Sequence, residues 1–172
     1  MSARAGSLPR WAYWAALAFG LALVLKLNLP GHMTVDSVLA LREGRLQVRD
    51  TWNPAIFGWV LGVFDSLWRG PALSVTTGAV LLFGAWAAMA GLRPRTSWLA
   101  PVVALAAIAL PQVAIYPGIV WKDVWFAESA IAGFVLVALA LQRSGPGARW
   151  ALLVAAALLF AVAGLLRQNG LI

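Results

Sequence analysis

The sequence predicts an all-α fold, a polytopic bundle of about five transmembrane helices with juxtamembrane helices in the first outer loop. Three observations carry this prediction. Of the 172 residues, 62% are hydrophobic and 11% charged, whereas soluble domains are about 45–50% apolar and about 25% charged. Several apolar runs reach the roughly 18 residues that a helix needs to cross a bilayer. The charges are also sorted along the chain, arginine pairs on one side of the runs and acids on the other.

The first span covers about Trp11–Leu29. Arg4 and Arg10 precede it, as in a signal peptide, but its apolar stretch is longer than a typical h-region and no small-residue cleavage site follows. It reads as an uncleaved anchor. An outer loop over 30–70 comes next. Within it, a helix from about Thr34 to Glu43 is expected to stop at Gly44. "NPAIFGWVLGVFDSLWRG" is apolar and aromatic but short, and reads as an interfacial helix with Trp59 and Trp68 at headgroup depth. The alternative, that Asn53–Leu67 is itself a short span, would invert everything downstream, and the arginine pairs argue against it. Four further spans follow at about 71–92, 98–116, 124–141 and 150–166. The whole is a single transmembrane module without internal repeats. Its abrupt close at "LLRQNGLI" is what the N-terminal part of a longer protein would show.

Arg4 and Arg10, Arg93 and Arg95, and Arg143 and Arg149 fall on one side without an acid among them. All six acids, Asp36, Glu43, Asp50, Asp65, Asp123 and Glu128, fall in or beside segments on the other. Basic residues are enriched on the cytoplasmic side, which puts the N-terminus inside. Arg42, Arg45, Arg49 and Arg69 in the outer loop weaken the raw count, so the acid segregation carries the argument. With no cysteines, disulfides and thiolate metal sites are excluded. The net charge of +7 comes from basic residues scattered between apolar runs, a pattern of membrane orientation and not of nucleic-acid binding.

Ionisable residues at or within a membrane are costly, so each is a functional candidate. Asp36 can be a helix N-cap or a solvated loop acid, since it and Thr34 both lie where a helix begins, or a carboxylate at the water–lipid boundary that accepts a proton from a hydroxyl. His32 lies close by. In "YPGIVWKDVWFAES", Lys122 and Asp123 are either a polar turn in an aromatic belt or a phosphate-binding cation beside an orienting acid. Glu128, one turn into the fourth span, needs a partner or a water-filled cavity. In "RQNG", Arg167 with Gln168 and Asn169 is either a snorkelling arginine before a turn or a grip on phosphate and sugar hydroxyls. Asn53-Pro54 alone is a weak turn signal. All these places lie on one face of the membrane, as transfer from a lipid phosphate would require.

The order of these elements resembles an uncharacterised bacterial family of multi-span proteins related to the GT-C superfamily of polyprenyl-phosphate-dependent glycosyltransferases. The matching residues are Pro30-Gly31 with Asp36-Ser37, Trp121-Lys122-Asp123, and Arg167 with Asn169-Gly170. The likeness spans nearly all of the chain, through short elements. Relatives often carry histidines where this chain has Trp52-Asn53, and asparagine where it has Gln168. GT-C enzymes are also longer, with further spans and often a soluble C-terminal domain.

The resemblance implies a bacterial inner-membrane enzyme whose sugar arrives on an undecaprenyl-type phosphate from the outer leaflet. It gives Asp36 the role of base towards an acceptor hydroxyl of unspecified identity, with inversion at the anomeric carbon. Lys122 and Arg167 would stabilise the leaving phosphate, with Asp123, Asn53 and Asn169 also binding donor or lipid phosphate. No cofactor is required, and no ligand set demands a metal, although a divalent cation near Asp36 and Asp123 is compatible with the chemistry. Two other classes stay open from the residues alone: a transporter or flippase, and a non-catalytic membrane assembly protein.

Overall fold

The computed structural model describes residues 8–167, which form eight α-helices joined by short turns and one two-residue strand pair. The first helix, α1 (Leu8–Asn28), has 21 residues, about 31 Å at 1.5 Å per residue, enough to cross a hydrocarbon core of about 30 Å. Its buried residues Ala16, Gly20, Val24 and Asn28 recur every fourth position, making one stripe towards the bundle, while Trp11, Phe19 and Leu27 face outward. Gly20 belongs in that stripe because a Cβ there would collide with Ile108 and Phe83.

The outer-loop helices are α2 (Val35–Leu46) and α3 (Ala55–Leu67). Gly44 does not end α2 as the sequence suggested. The helix runs on to Leu46 and ends at Gln47, whose backbone is left-handed. Gly44 has another task. A Cβ on it would fall inside the Gly58 carbonyl and against the Gly62 backbone, so three glycines let α2 and α3 meet backbone to backbone. The pair is closed by Arg45, which donates to both oxygens of Asp65 at 2.8 and 2.6 Å. At 13 residues, α3 is too short to span a membrane.

The long helices α4 (Ala72–Met89), α7 (Lys122–Leu141) and α8 (Pro146–Leu166) are close to their expected positions. One face of α4 packs Ala79 and Phe83 against α1; another packs Ala85 against Ala132, Val135 and Leu139 of α7. The α7–α8 hairpin locks Phe134 on Phe160, with centroids 4.9 Å apart.

The span expected at 98–116 is not one helix. It divides into α5 (Leu99–Ile108) and α6 (Pro111–Ile115), and the two halves bend by 69°. The cause is local: Pro111 has no N–H to donate and drives Leu110 out of the helical region, to ψ 133. The broken segment still runs the length of α1. At one end Arg10 donates to the Arg93 and Pro94 carbonyls and to Thr96 Oγ1. At the other, β1 (His32–Met33) pairs in parallel with β2 (Ile119–Val120). Both ends of α1 are thus stitched to the two ends of the segment that contains α5 and α6. Four single helices, α1, α4, α7 and α8, are long and apolar enough to cross a membrane, and the candidate spans number five when this bent pair is counted as one.

The bundle therefore has an arginine end and an acid end. Arg10, Arg93 and the Gln142–Leu92 bond of 2.9 Å mark the first. The turn after α1, the α2–α3 pair and the start of α7 mark the second.

Candidate functional site

The acid end is assembled from segments distant in sequence. Past α1 the chain turns through Gly31, whose φ of +122° is a conformation that residues with a Cβ rarely adopt, and where a Cβ would also strike Val75. The β1–β2 bridge then ties this turn to the segment entering α7. Thr34 caps α2: its hydroxyl accepts the Ser37 N–H at 3.2 Å, and Ser37 Oγ accepts the Thr34 N–H at 2.7 Å. This reciprocal box gives acceptors to two of the otherwise unpaired N–H donors of a helix start. Asp36, in the first turn, is therefore not the cap. It is half-buried, and its carboxylate has no hydrogen-bond or ion-pair partner among the described residues.

Asn53 joins Asp36 to Lys122. It is buried, at 2% exposure. Its Nδ2 donates to the Asp36 carbonyl at 3.2 Å, and its Oδ1 accepts from Lys122 Nζ at 3.3 Å. The same ammonium stands 4.2 Å from the centroid of the Trp52 ring, a cation–π contact. An ammonium has three donors, so Lys122 retains capacity for an anion. One residue on, Asp123 Oδ1 receives Arg167 Nε at 3.3 Å. Arg167 also lies over Phe126, 5.7 Å from its centroid.

Thus Asp36, Asn53 and Lys122 are linked through the Asp36 main chain, and Asp123 and Arg167 pair beside them. Asn169 lies outside the described residues, as does Gln168. His32 is exposed, and its Nε2 is 3.1 Å from Asn28 Oδ1. Asn28 in turn donates to the Val24 and Ala114 carbonyls, both at 2.7 Å, closing α1 onto α6.

Several acids have structural employment. Glu43 Oε1 accepts the Asp50 N–H at 2.8 Å and also that of Thr51. Burial alone would raise its pKa, but these bonds and Arg49 hold it below the ordinary glutamate value. Asp65 is held at about 2, first by its bonds from Arg45 and then by the Gly70 N–H. Glu128 is different. It is 3% exposed on α7, its carboxylate occupies the space that a Cβ on Gly78 of α4 would take, and its Oε1 has no partner among the described residues. Ser74 Oγ, also on α4, is likewise buried and unpaired.

The importance of Asn53 was hardly visible in the sequence, where Asn-Pro reads as a turn. Trp52 and Asn28 carried no chemical signal at all, since an aromatic in a loop and an asparagine at a helix end are commonplace. Among the described residues, no three of His, Asp and Glu stand together as a metal site.

Fold and site together define a multi-pass, all-helical membrane protein with a polar cluster at one end of its bundle. No family model, no curated protein and no solved structure matches the chain.

Proposed function

We propose that this chain is a membrane glycosyltransferase, or the N-terminal module of one, which moves a sugar from a polyprenyl-phosphate donor to an acceptor at the outer face of a bacterial inner membrane. The arginine end then lies in the cytoplasm and the acid end outside. One observation carries the reading: Asn53 ties Lys122 to the main chain of Asp36, whose half-buried carboxylate has no partner among the described residues, and Arg167 pairs with Asp123, the residue after Lys122. A carboxylate base near phosphate-binding cations is the minimum that transfer from a lipid phosphate requires.

In this reaction Asp36 takes the proton of the acceptor hydroxyl. The acceptor oxygen attacks the anomeric carbon as the bond from that carbon to the phosphate oxygen breaks. The bonding pair leaves with the polyprenyl phosphate, and Lys122 and Arg167 stabilise its charge. Asp123 orients Arg167, and Asn53 sets Lys122 against the start of α2.

The test is transfer from polyprenyl-phosphate sugars in membranes containing the parent or Asp36→Asn. Asparagine keeps the size of the side chain but cannot accept the proton, and a general base typically contributes about 10²–10⁴-fold. Transfer that is indifferent to Asp36→Asn, in protein that inserts normally, removes the central residue of the proposal.

One observation favours a transporter instead. Glu128 Oε1 on α7 and Ser74 Oγ on α4 are buried without partners among the described residues, and the apolar segment of α5 and α6 is bent by 69°; polar groups and broken helices inside a membrane both mark transport pathways. Solute uptake into vesicles that is lost in Glu128→Gln and kept in Asp36→Asn selects this second reading.

A further inference from the structure

The arginine end, opposite the Asp36 cluster, contains an open cavity of about 550 Å³ between α1, α4 and α5. Its wall is formed by Leu17, Trp86, Met89, Leu99 and Val103, and Arg93 and Arg95 stand at its rim with Thr96. We propose that this cavity binds one anionic phospholipid, with an acyl chain along the apolar wall and the headgroup phosphate at Arg93 and Arg95.

The size lies within the roughly 300–1,000 Å³ of small-molecule sites. The wall also leaves large apolar side chains uncovered: Met89, Leu99 and Val103 are 45%, 66% and 55% exposed. Beside a bilayer, such a surface suits a lipid chain.

The charge at the rim decides which lipid. Arg93 and Arg95 are both exposed, and neither has an ion-pair partner among the described residues. The six acids of the chain all lie in the outer loop or at the start of α7, away from this end. The two guanidinium groups are therefore uncompensated, and a guanidinium can bind phosphate through two parallel bonds. Basic pockets between transmembrane helices bind anionic headgroups in this way.

The rim is also held in place. Arg10 does not compete for the ligand, because it is occupied by the Arg93 and Pro94 carbonyls and Thr96 Oγ1. It fixes the main chain of the segment whose side chains face outward. Trp14 and Trp98 stand nearby in the sequence of the same ends, where indoles settle at headgroup depth. A second copy of the chain is a poorer occupant, since a two-fold contact would bring these arginines onto their own counterparts.

The test uses the full chain, delipidated in mild detergent and titrated by native mass spectrometry with dioleoyl phosphatidylglycerol or with phosphatidylcholine of the same chains. One phosphatidylglycerol should bind per chain, at least about tenfold tighter than phosphatidylcholine. Arg93→Ala with Arg95→Ala should weaken it about thirtyfold, the loss expected for two cations near a membrane surface. Neither side chain has a partner among the described residues and the carbonyls that hold Arg10 remain, so this variant keeps its fold. Ala100→Phe, which fills the cavity, should exclude the lipid with the arginines intact. Glycerol 3-phosphate, a headgroup without chains, should not compete. Equal binding of the two lipids, undiminished binding by the double variant, or competition by glycerol 3-phosphate would each overturn the proposal.

Discussion

Replacing Asn53 by alanine tests whether the acid end is held together as described. The side chain makes two bonds from a buried position: a neutral one to the Asp36 carbonyl at 3.2 Å and one from the Lys122 ammonium at 3.3 Å. A neutral bond contributes about 1 kcal/mol and one to a charged group about 1.5–3. The Lys122 bond is long and only part-buried, so its share belongs at the low end. Asn53→Ala should therefore cost about 2.5 kcal/mol, or roughly 5–10 °C in melting midpoint for a chain of this size. The measurement is reversible unfolding in mixed micelles, followed by helicity, for Asn53→Ala, Lys122→Met and the double variant. The cycle should return a coupling of about 1 kcal/mol between the two side chains, since contacting residues typically couple by about 0.5–3. Coupling indistinguishable from zero, or Asn53→Ala as stable as the parent, would refute the view that this residue joins the first outer loop to α7. On the proposed function, Asn53→Ala should also slow transfer without touching a reacting atom, because Asp36 and Lys122 would no longer be held in one frame.

Two further outcomes probe the helix pair that carries Asp36. Gly44→Ala drives a methyl into the backbone of Gly58 and Gly62, which cannot yield as a side chain can. It should destabilise by about 1–3 kcal/mol or more, whereas Gly84→Ala, with open space around it, should be neutral or stabilising by up to about 1 kcal/mol. Thermal melts of the two variants separate these effects. The Arg45–Asp65 pair gives an acid dependence. Asp65 titrates at about 2 in the fold against 3.8 unfolded, so its stabilisation is complete above about pH 4 and is lost as pH falls towards 2. The shift corresponds to about 2 kcal/mol, reduced to roughly 1–2 because Arg45 is half exposed. Melting midpoints at pH 5 and pH 2.5 should therefore fall further for the parent than for Asp65→Asn, and an equal fall in both would deny the pair its role.

Much of the fold could be read from composition because the bilayer is a demanding solvent. A run of about 20 apolar residues has few conformations open to it other than a helix, and the long helices α1, α4, α7 and α8 begin and end within a few residues of their expected bounds. The break inside the span expected at 98–116 had its cause in plain sight at Pro111. Hydropathy averages over such a residue, whereas backbone sterics do not. Gly44 misled for the opposite reason. Near a helix end a glycine reads as a stop signal, but its lack of a side chain serves equally to bring two helices together, and only the position of Gly58 and Gly62 decides between the two uses.

The chemically suggestive residues show the same division. That Asp36, Lys122, Asp123 and Arg167 gather at one end followed from the order and number of spans, because each crossing returns the chain to a known face. Which of them touch did not follow. Local sequence determined helices, turns and charges, since these depend on a residue and its near neighbours. The pairing of Asp123 with Arg167, the bridging role of Asn53 and the burial of Glu128 against Gly78 were decided by packing between α3, α4, α7 and α8. Those contacts join positions up to 69 residues apart for Asn53 and Lys122, and no local pattern encodes a distance of that kind.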